Sequence, residues 1–186
     1  MNKKKFFFIL VLFFSISSCQ PIEKPVEIVF NNNLLSKITV LANVKNINQL
    51  YEVKYIDPYI DHSIEFSPLK RLESWLQTNI EIMGAENKFI INILEASLKK
   101  SEIMDNDKKS IFQYKIFYLV EFQIYNDADK LLSSTNVEVL RTTTSSKYIS
   151  LNQSEIIVNN LILEALIDLS MKSKELTKIY MSEYLF

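Results

Sequence analysis

Residues 111–125 carry the most regular alternation of apolar and polar positions in the chain. The apolar positions recur at every second residue: Phe112, Tyr114, Ile116, Tyr118, Val120, Phe122 and Ile124. The intervening positions are mixed, with Phe117 and Leu119 among polar and charged residues. A period of two held over this length predicts a long strand whose Phe112 face packs against the core. The alternative is that helices cover the Phe117 side and leave the Phe112 face as a surface for a partner.

The neighbouring segments on either side also favour strands. Residues 88–103 begin apolar on both faces and become polar towards Lys99-Lys100-Ser101. Residues 131–144 alternate again and end in a run of β-branched threonines, which favours a strand. The polar turn at residues 126–129 separates the last two strands. Together these segments predict a three-stranded antiparallel meander.

A further strand and an apolar stretch precede the meander. A first strand is predicted within residues 37–44, where Ile38, Val40 and Ala42 share one face. Residues 50–56 form a second apolar stretch. The sequence Asp57-Pro58-Tyr59 then favours a loop, because proline fixes its own φ and keeps the preceding residue extended.

Residues 67–84 have the features of an amphipathic helix. Ser67 is a suitable N-cap, Pro68 suits the first helical position, and Gly84 stands where a left-handed residue would end the helix. The expected apolar stripe consists of Leu69, Leu72, Leu76, Ile80 and Met83, with Trp75 beside it. The spacing predicts a helix that buries this stripe in the core.

A second helix is predicted after the polar loop at residues 145–153. Asn152 and Glu155 have the spacing of a capping box at its start. The positions expected to face the core are Ile157, Leu161, Ala165, Leu169, Leu176 and Ile179. The solvent-exposed side is expected to carry Asp168, Lys172, Lys174 and Glu175. Two helices that each bury one apolar stripe are most simply accommodated on one face of a sheet. The predicted fold class is therefore α+β, an antiparallel sheet of about four strands with two helices packed on one face.

The first nineteen residues resemble the signal of a bacterial lipoprotein. Three lysines, Lys3 to Lys5, precede an unbroken apolar run at residues 6–14, which is shorter than the roughly 20 residues that span a bilayer. The sequence Ile16-Ser17-Ser18-Cys19 resembles the lipobox, an aliphatic residue and two small residues before a cysteine. This resemblance implies cleavage before Cys19 and acylation of Cys19. The alternative is an ordinary secretory signal that leaves a cysteine near its cleavage site.

The expected domain organisation follows from this resemblance. Residues 1–18 are the predicted signal peptide, residues 19–36 a lipidated flexible tether, and residues 37–186 a single α+β domain. Prolines at positions 21 and 25 and the three asparagines at 31–33 favour an irregular tether. Two or three acyl chains on Cys19 would anchor the protein stably to a membrane. Cys19 is the only cysteine, so the chain can form no internal disulfide.

Charge and composition exclude several classes of function. Loss of the three signal lysines takes the formal net charge from −1 to −4, so no general basic field for nucleic acid exists. Gly84 is the only glycine, which excludes glycine-rich phosphate loops. A Ser-His-Asp triad would have to use His62, the only histidine, and no G-x-S-x-G motif is present. We expect a protein that is not an enzyme and that uses no cofactor.

Asp57, Asp61, His62 and Glu65 form the one cluster that suggests a metal or acid–base site. Catalytic zinc sites usually take three protein ligands with histidine prominent, whereas this cluster offers a single histidine. Asp57-Pro58 and Asp61 are also typical of a solvated loop. We therefore expect no metal and no catalytic residue here.

Lysines gather in two turns that antiparallel geometry should place at one end of the sheet. Lys99, Lys100, Lys108 and Lys109 flank the turn at residues 105–107, and Lys147 lies in the loop before the last helix. Of these lysines, Lys108, Lys109 and Lys147 are the candidate ligand- or partner-binding residues, because ammonium groups can contact the phosphates of an anionic lipid. The alternative is a solvated surface balanced by Glu102, Asp105 and Asp107.

The order of the predicted elements resembles that of the LPS-assembly lipoprotein family (LptE). The shared order is a lipobox, a strand, a helix, a three-stranded meander, and a last helix after a polar loop. The resemblance implies a non-enzymatic partner in LPS transport or outer-membrane assembly, with a β-barrel as protein partner and LPS as a ligand. Since an aspartate after the cysteine retains lipoproteins in the inner membrane of well-studied species, Gln20 implies the periplasmic face of the outer membrane.

Two other resemblances accompany this one. A group of uncharacterised Gram-negative lipoproteins with no assigned activity is similar to this chain in Pro58–His62, Pro68, Trp75-Leu76, Leu94–Ser97 and Arg141–Thr144. The general architecture also resembles the auxiliary lipoprotein of lipid-transporting ABC systems. That second resemblance implies an inner-membrane ABC permease as partner instead of a β-barrel.

Overall fold

Six strands and two helices make up the described part of the chain. The structure is a computed structural model that describes residues 31–186. In chain order the elements are β1 (Ile38–Val40), β2 (Val44–Gln49), α1 (Pro68–Thr78), β3 (Ile80–Ile82), β4 (Lys88–Met104), β5 (Ser110–Tyr125), β6 (Leu131–Ser146) and α2 (Leu151–Tyr180). Short 3₁₀ turns lie at Asn32–Leu34, Asp61–Ser63 and Ser182–Tyr184.

The main sheet has the strand order β2-β4-β5-β6 and is mixed. The meander of β4, β5 and β6 is antiparallel as predicted. β2, however, runs parallel to β4, with Val44 opposite Lys88. The reason is that the chain returns from β2 to β4 through α1, and a helical crossover brings two strands into the same direction. The predicted four-stranded α+β sheet is therefore confirmed, while its purely antiparallel character is corrected. β1 and β3 pair separately in a small parallel sheet.

The Phe112 face of β5 is the core face, as the alternation predicted. Every second side chain from Tyr114 to Ile124 is buried, and the Phe122 ring stacks on Phe89 of β4 with centroids 5.8 Å apart. Both helices cover this face. The Tyr118 hydroxyl donates to the carbonyl of Pro68 at the start of α1 (3.3 Å), and the hydroxyls of Tyr114 and Ser154 of α2 lie 2.9 Å apart. Neither α1 nor α2 lies on the opposite face of the sheet, which carries Phe117 and Leu119 and which we call the uncovered face.

α1 begins where the sequence predicts and ends earlier. Ser67 is the N-cap, and its hydroxyl accepts from the backbone N–H of Lys70. The helix stops at Thr78, and residues 80–82 form β3 instead of the last helical turn. Ile80 fits both patterns, because it is in phase with the helical stripe and is also the buried first residue of β3. Gly84 is consequently not a helix-ending residue, and its φ is not positive.

The segment between β1 and α1 differs most from the prediction. β1 is shorter than expected, although Ile38, Val40 and Ala42 are buried as predicted. The second strand is the polar segment Val44–Gln49, whereas the apolar stretch 50–56 that follows it contains no strand. Tyr51 is the buried residue of that stretch, with 3% of its surface exposed. β2 was not recognisable because it lies at the sheet edge, where a strand can be polar.

α2 is capped two residues earlier than predicted. Ser150 and Gln153 form the capping box, rather than Asn152 and Glu155. The inward stripe continues from Leu169 through Ser173 and Thr177, both fully buried, so Ile179 is 59% exposed and not inward. The Thr177 hydroxyl donates to the carbonyl of Ser173 (2.7 Å), which lets a polar residue occupy an inward position.

The end of the predicted tether lies against the two helices. Leu35 is buried, and the backbone N–H of Ser36 donates to the Ser170 hydroxyl of α2 (3.1 Å). The indole N–H of Trp75 in turn donates to the Ser36 carbonyl (3.0 Å). The predicted signal peptide, Cys19 and most of the tether lie outside the described residues. Within residues 31–186, neither helix is long and apolar enough to cross a membrane.

Candidate functional site

The predicted lysine site lies at one end of the main sheet, which we call the far end. The far end contains the β4–β5 turn and the start of α2, and the near end contains the β5–β6 turn and the end of α2. In the β4–β5 turn, the N–H of Lys108 donates to the Asp105 carbonyl and the N–H of Asp105 donates to the Lys109 carbonyl, both at 2.8 Å. Lys108 has a φ of +58°, the left-handed position that closes this type of hairpin. Lys108 and Lys109 are both exposed.

Lys147 lies beside this hairpin, so the structure brings the two lysine-bearing turns together. Its ammonium group forms an ion pair with Glu102 of β4 and lies 5.6 Å from the centroid of the Phe112 ring. Lys100 approaches the same ring more closely, at 3.9 Å. Two ammonium groups therefore share one aromatic side chain, an arrangement in which the ring quadrupole attracts each cation.

Glu102 partly neutralises this cluster. The ion pair with Lys147 and a hydrogen bond from Ser110 hold the pKa of the Glu102 carboxyl below its ordinary value. Lys147 thus has a partner, whereas Lys108 and Lys109 make no ion pair with any residue in the described range 31–186. Apolar side chains at the same turns are exposed: Met104 by 70%, Tyr148 by 95% and Leu151 by 91%. The far end is consequently a cationic surface with an apolar fringe.

Lys99 does not belong to the far-end cluster, although it neighbours Lys100 in sequence. The alternation of β4 points Lys99 to the uncovered face, where its ammonium lies 4.6 Å from the ring centroid of Tyr59. Lys54 lies at the same distance from that ring and donates to the Tyr59 hydroxyl (3.2 Å). Hydrogen bonding to Lys99 and Lys54 lowers the pKa of Tyr59, because both cations favour the phenolate.

The predicted acidic cluster is dispersed. Asp61 is buried and accepts from the Tyr51 hydroxyl (3.0 Å), and burial next to this carboxylate raises the pKa of Tyr51. His62 is exposed and its Nδ1 lies 3.2 Å from the Lys54 carbonyl. Asp57 and Glu65 are exposed. Within residues 31–186 no three histidine, cysteine, aspartate or glutamate side chains are placed to share a metal ion.

Sequence reasoning placed Lys99, Lys100, Lys108 and Lys109 around the β4–β5 turn. The structure keeps Lys100 in the far-end cluster, because it pairs with Tyr114 on the Phe112 side of the sheet. Sequence reasoning missed a second group of lysines around a cleft at the near end, which consists of Lys37, Lys174 and Lys178. Cys19, the predicted lipid attachment site, lies outside the described residues. The ligand role of Lys108, Lys109 and Lys147 stays a prediction.

Neither a protein-family model nor a curated protein matches the sequence. Among solved structures, a minor lipoprotein from Acinetobacter baumannii is 12% identical, with a TM-score of 0.41 and coverage of 78% of this chain and 96% of that chain. Rare lipoprotein B from Shewanella oneidensis is 17% identical, with a TM-score of 0.41 and coverage of 74% and 97%. Uncharacterized lipoprotein B from Nitrosomonas europaea is 10% identical, with a TM-score of 0.43 and coverage of 83% and 92%.

All three of these similar structures are of lipoproteins. Fold likeness does not transfer a function. At this identity and these TM-scores, a ligand, a partner or an activity has to be argued from the residues of this chain.

Proposed function

We propose that this chain is a lipid-anchored envelope lipoprotein that works by binding and performs no catalysis. Acylated Cys19 would hold it at the periplasmic face of the outer membrane. The far end would contact an anionic glycolipid of the LPS type, and the folded body would partner a β-barrel in LPS transport or outer-membrane assembly. This proposal extends the resemblance to LPS-assembly lipoproteins with the geometry of the lysine cluster.

The observation that carries the proposal is the gathering of four lysines at the far end, two of them beside one aromatic ring. Lys100 and Lys147 lie 3.9 and 5.6 Å from the Phe112 centroid, and Lys108 and Lys109 extend from the adjacent turn. Ammonium groups bind phosphate oxygens by charge-assisted hydrogen bonds, which are about twice as strong as neutral ones. A glycolipid with phosphates and acyl chains offers an anion for the lysines and apolar surface for Tyr148 and Leu151.

Glu102 sets how much positive charge the far end presents. Its carboxylate neutralises Lys147 in the free protein, so a phosphate must compete with it for that ammonium group. Glu102→Gln keeps the shape of the side chain and removes the competing charge. We expect this variant to bind LPS more tightly than the wild type, which distinguishes a lysine-based site from general apolar adhesion.

The first test measures LPS binding by the acylated protein. In the variant Lys108→Asn/Lys109→Gln/Lys147→Gln, asparagine at position 108 tolerates the positive φ while the charge is removed. We expect affinity to fall by about ten-fold or more, since hydrogen bonds to charged groups are worth roughly 1.5–3 kcal/mol each before solvent screening. The control Lys70→Gln/Lys115→Gln/Lys130→Gln removes the same charge elsewhere. An equal loss in both variants would reduce the effect to net charge and contradict the site.

The second test identifies the protein partner. Acylated protein is isolated from detergent-solubilised envelopes together with whatever it binds, and the bound proteins are identified by mass spectrometry. Recovery of a β-barrel of an LPS translocon is the expected result. Recovery of an ABC permease without a barrel would replace this partner with the one implied by the ABC-associated lipoproteins.

A further inference from the structure

A second cationic surface lies at the near end, about as far from the far-end lysines as the sheet is long. It is a cleft of about 460 Å³ between β1 and the last two turns of α2. Lys37, Lys174 and Lys178 line it together with Thr39, Ser182 and Phe186. Lys174 and Lys178 are four residues apart, so they project from one side of α2. Lys37 reaches the cleft from the residue that precedes β1.

No ion pair within the described residues involves the lysines of this near-end cleft. No aspartate or glutamate side chain lines it. Among residues 31–186, Lys37, Lys174 and Lys178 make no ion pair, whereas Lys88 pairs with Asp129 and Lys147 with Glu102. The nearest carboxylates in sequence are those of Glu175 and Glu183, which are both exposed. Three cations around one concave surface form a site whose complement is an anion.

Apolar side chains flank these lysines and are exposed. Phe186 lines the cleft and is 86% exposed, while Ile179 and Tyr180, next to Lys178, are 59% and 60% exposed. Lysines beside exposed aromatic and aliphatic side chains are the composition of surfaces that lie in the headgroup region of a bilayer. The near-end cleft therefore has both the charge and the apolar fringe that a membrane surface accepts.

The predicted tether would place this surface close to the membrane that holds the lipid anchor. Lys37 directly follows the tether, and the bond from Ser36 to Ser170 holds the incoming chain against α2. The chain from Cys19 to Asn31 advances by twelve residues and so spans at most about 43 Å when fully extended, since each residue covers at most about 3.6 Å. A lipid on Cys19 would thus keep the near-end cleft within reach of the bilayer surface.

We propose that the near-end cleft docks on the anionic phospholipid headgroups of the membrane that holds the acylated Cys19. Lys37, Lys174 and Lys178 contact the lipid phosphates, and Phe186 enters the headgroup region. This inference rests on the lipid anchor of the proposed function and does not depend on LPS binding. Docking would orient the domain with the far end pointing away from the membrane.

The orientation can be measured by energy transfer to the membrane surface. Asp107→Cys and Ala128→Cys occupy equivalent places in the β4–β5 and β5–β6 turns, at opposite ends of the sheet. Because Cys19 is the only native cysteine and its thiol would carry the diacylglycerol of the anchor, each variant takes up one donor dye. The acylated proteins are placed in nanodiscs of phosphatidylethanolamine and phosphatidylglycerol that carry an acceptor lipid. We expect strong transfer from position 128 and weak transfer from position 107.

The matched variants test the lysines. An ammonium close to an anionic surface favours docking by about five-fold (about 1 kcal/mol), so Lys174→Gln/Lys178→Gln should lower the docked-to-undocked ratio by about 30-fold. This change should equalise transfer from the two positions, as should nanodiscs of phosphatidylcholine alone. The control Lys70→Gln/Lys115→Gln removes the same charge and should keep the asymmetry.

Three results would overturn the inference. Equal transfer from both positions in the wild type would show that the domain is not oriented. If Glu23→Gln/Glu27→Gln then restored the asymmetry, the preceding segment of this chain would be the occupant of the cleft instead of lipid. Uptake of dye by Cys19 itself would reveal a free thiol and would remove the anchor as well. Loss of LPS binding with the asymmetry intact would contradict only the proposed function.

Discussion

At the scale of single residues, position 84 needs a glycine because neighbouring backbone leaves no room for a Cβ atom. Its own backbone conformation does not require glycine. Its φ is not positive, so the left-handed role predicted for it at the end of a helix is absent. A Cβ at this position would instead lie 2.8 Å from the backbone nitrogen of Ala42 and 3.0 Å from the carbonyl carbon of Leu41. Gly84 therefore allows the chain after β3 to approach the chain after β1.

Gly84→Ala should lower the free energy of unfolding by about 1–3 kcal/mol, the usual range for overpacking, because the contacts are with backbone that cannot rotate away. Urea denaturation measures the change. Gly84→Asn should destabilise at least as much, whereas a helix-ending position would tolerate asparagine. Asn87→Gly is the control, since Asn87 has a φ of +68° and glycine adopts that angle freely. An unchanged stability of Gly84→Asn would contradict the steric explanation.

Tyr59 is the residue for which the structure predicts a distinct titration. Hydrogen bonding to Lys99 and Lys54 lowers its pKa, while burial raises the pKa of Tyr51 and of Tyr118. We therefore expect Tyr59 to ionise at lower pH than these two tyrosines. The difference in ultraviolet absorbance between the wild type and Tyr59→Phe reports its titration.

The lysine contribution to that titration can be separated. Lys54→Gln removes one of the two cations and should move the Tyr59 titration to higher pH. The lowered pKa of Tyr59 in the folded state also determines how the free energy of unfolding depends on pH. The stabilisation from the phenolate and its lysines is present above the unfolded pKa of tyrosine and is lost as the pH falls through the folded one. A Tyr59 titration that is unaltered by Lys54→Gln would show that Lys54 does not act on the phenol.

At the scale of elements, the start of α2 shows that two overlapping capping patterns in the sequence can predict different helix starts. Two overlapping patterns exist, and the structure uses Ser150 with Gln153 rather than Asn152 with Glu155. The Ser150 hydroxyl accepts from the N–H of Gln153 (3.2 Å), and the Gln153 side chain accepts from the N–H of Ser150 (3.2 Å). This reciprocal pair satisfies two backbone donors that the first helical turn leaves unpaired.

Ser150→Ala should lower the free energy of unfolding by about 1 kcal/mol, the typical loss for an N-cap hydroxyl. Asn152→Ala should change it by a few tenths of a kcal/mol at most, since alanine is at least as good as asparagine inside a helix. Thermal or urea unfolding of both variants decides between the two caps. A larger loss in Asn152→Ala would place the helix start where the sequence alone suggested.

The sequence predicted those helices and strands that have a clear periodic or capping pattern within their own residues. The alternation of β5, the capped start of α1 and the long stripe of α2 are of this kind. β2 and β3 depend on segments that are distant in sequence. Lys45 of β2 points towards the helices, and its ammonium donates to the carbonyls of Leu76 (3.1 Å) and Ile80 (2.6 Å). A lysine at an inward position of a strand is unexpected from the sequence. The structure explains it, because the last carbonyls of a helix lack donors within the helix and Lys45 supplies one.

The candidate sites also divide into a part that local sequence predicts and a part that depends on distant segments. Antiparallel geometry was enough to predict that the turns bearing Lys108 and Lys147 share one end of the sheet. The near-end cleft could be anticipated only in part. Lys174 and Lys178 are four residues apart on a helix, which is readable from the sequence. Lys37 joins them because β1 lies beside the segment that follows α2, where Val40 bridges to Leu185 and the N–H of Phe186 donates to the Thr39 carbonyl (3.1 Å).

At the scale of the whole molecule, the two cationic surfaces lie at opposite ends of one long sheet. β4 has 17 residues, which at roughly 3.3 Å per residue gives a separation of about 50 Å. α2 has 30 residues and runs along the same length. If the near-end cleft lies on the anchoring membrane, the far-end lysines stand well beyond the headgroups of that membrane. They would then meet a ligand or partner that is displaced from the bilayer surface.

This separation predicts that the two surfaces act independently. Charges about 50 Å apart do not interact through solvent in which the Debye length is about 8 Å, and distant sites usually behave additively. Lys174→Gln/Lys178→Gln should therefore abolish the orientation and leave the affinity for LPS unchanged. Lys108→Asn/Lys109→Gln/Lys147→Gln should weaken LPS binding and keep the asymmetry of energy transfer. The variant that combines all five changes should show both losses at the size of the single sets. If the near-end changes also weakened LPS binding, one ligand would bridge both surfaces, and a rigid domain that separates its membrane contact from its ligand contact would be the wrong description.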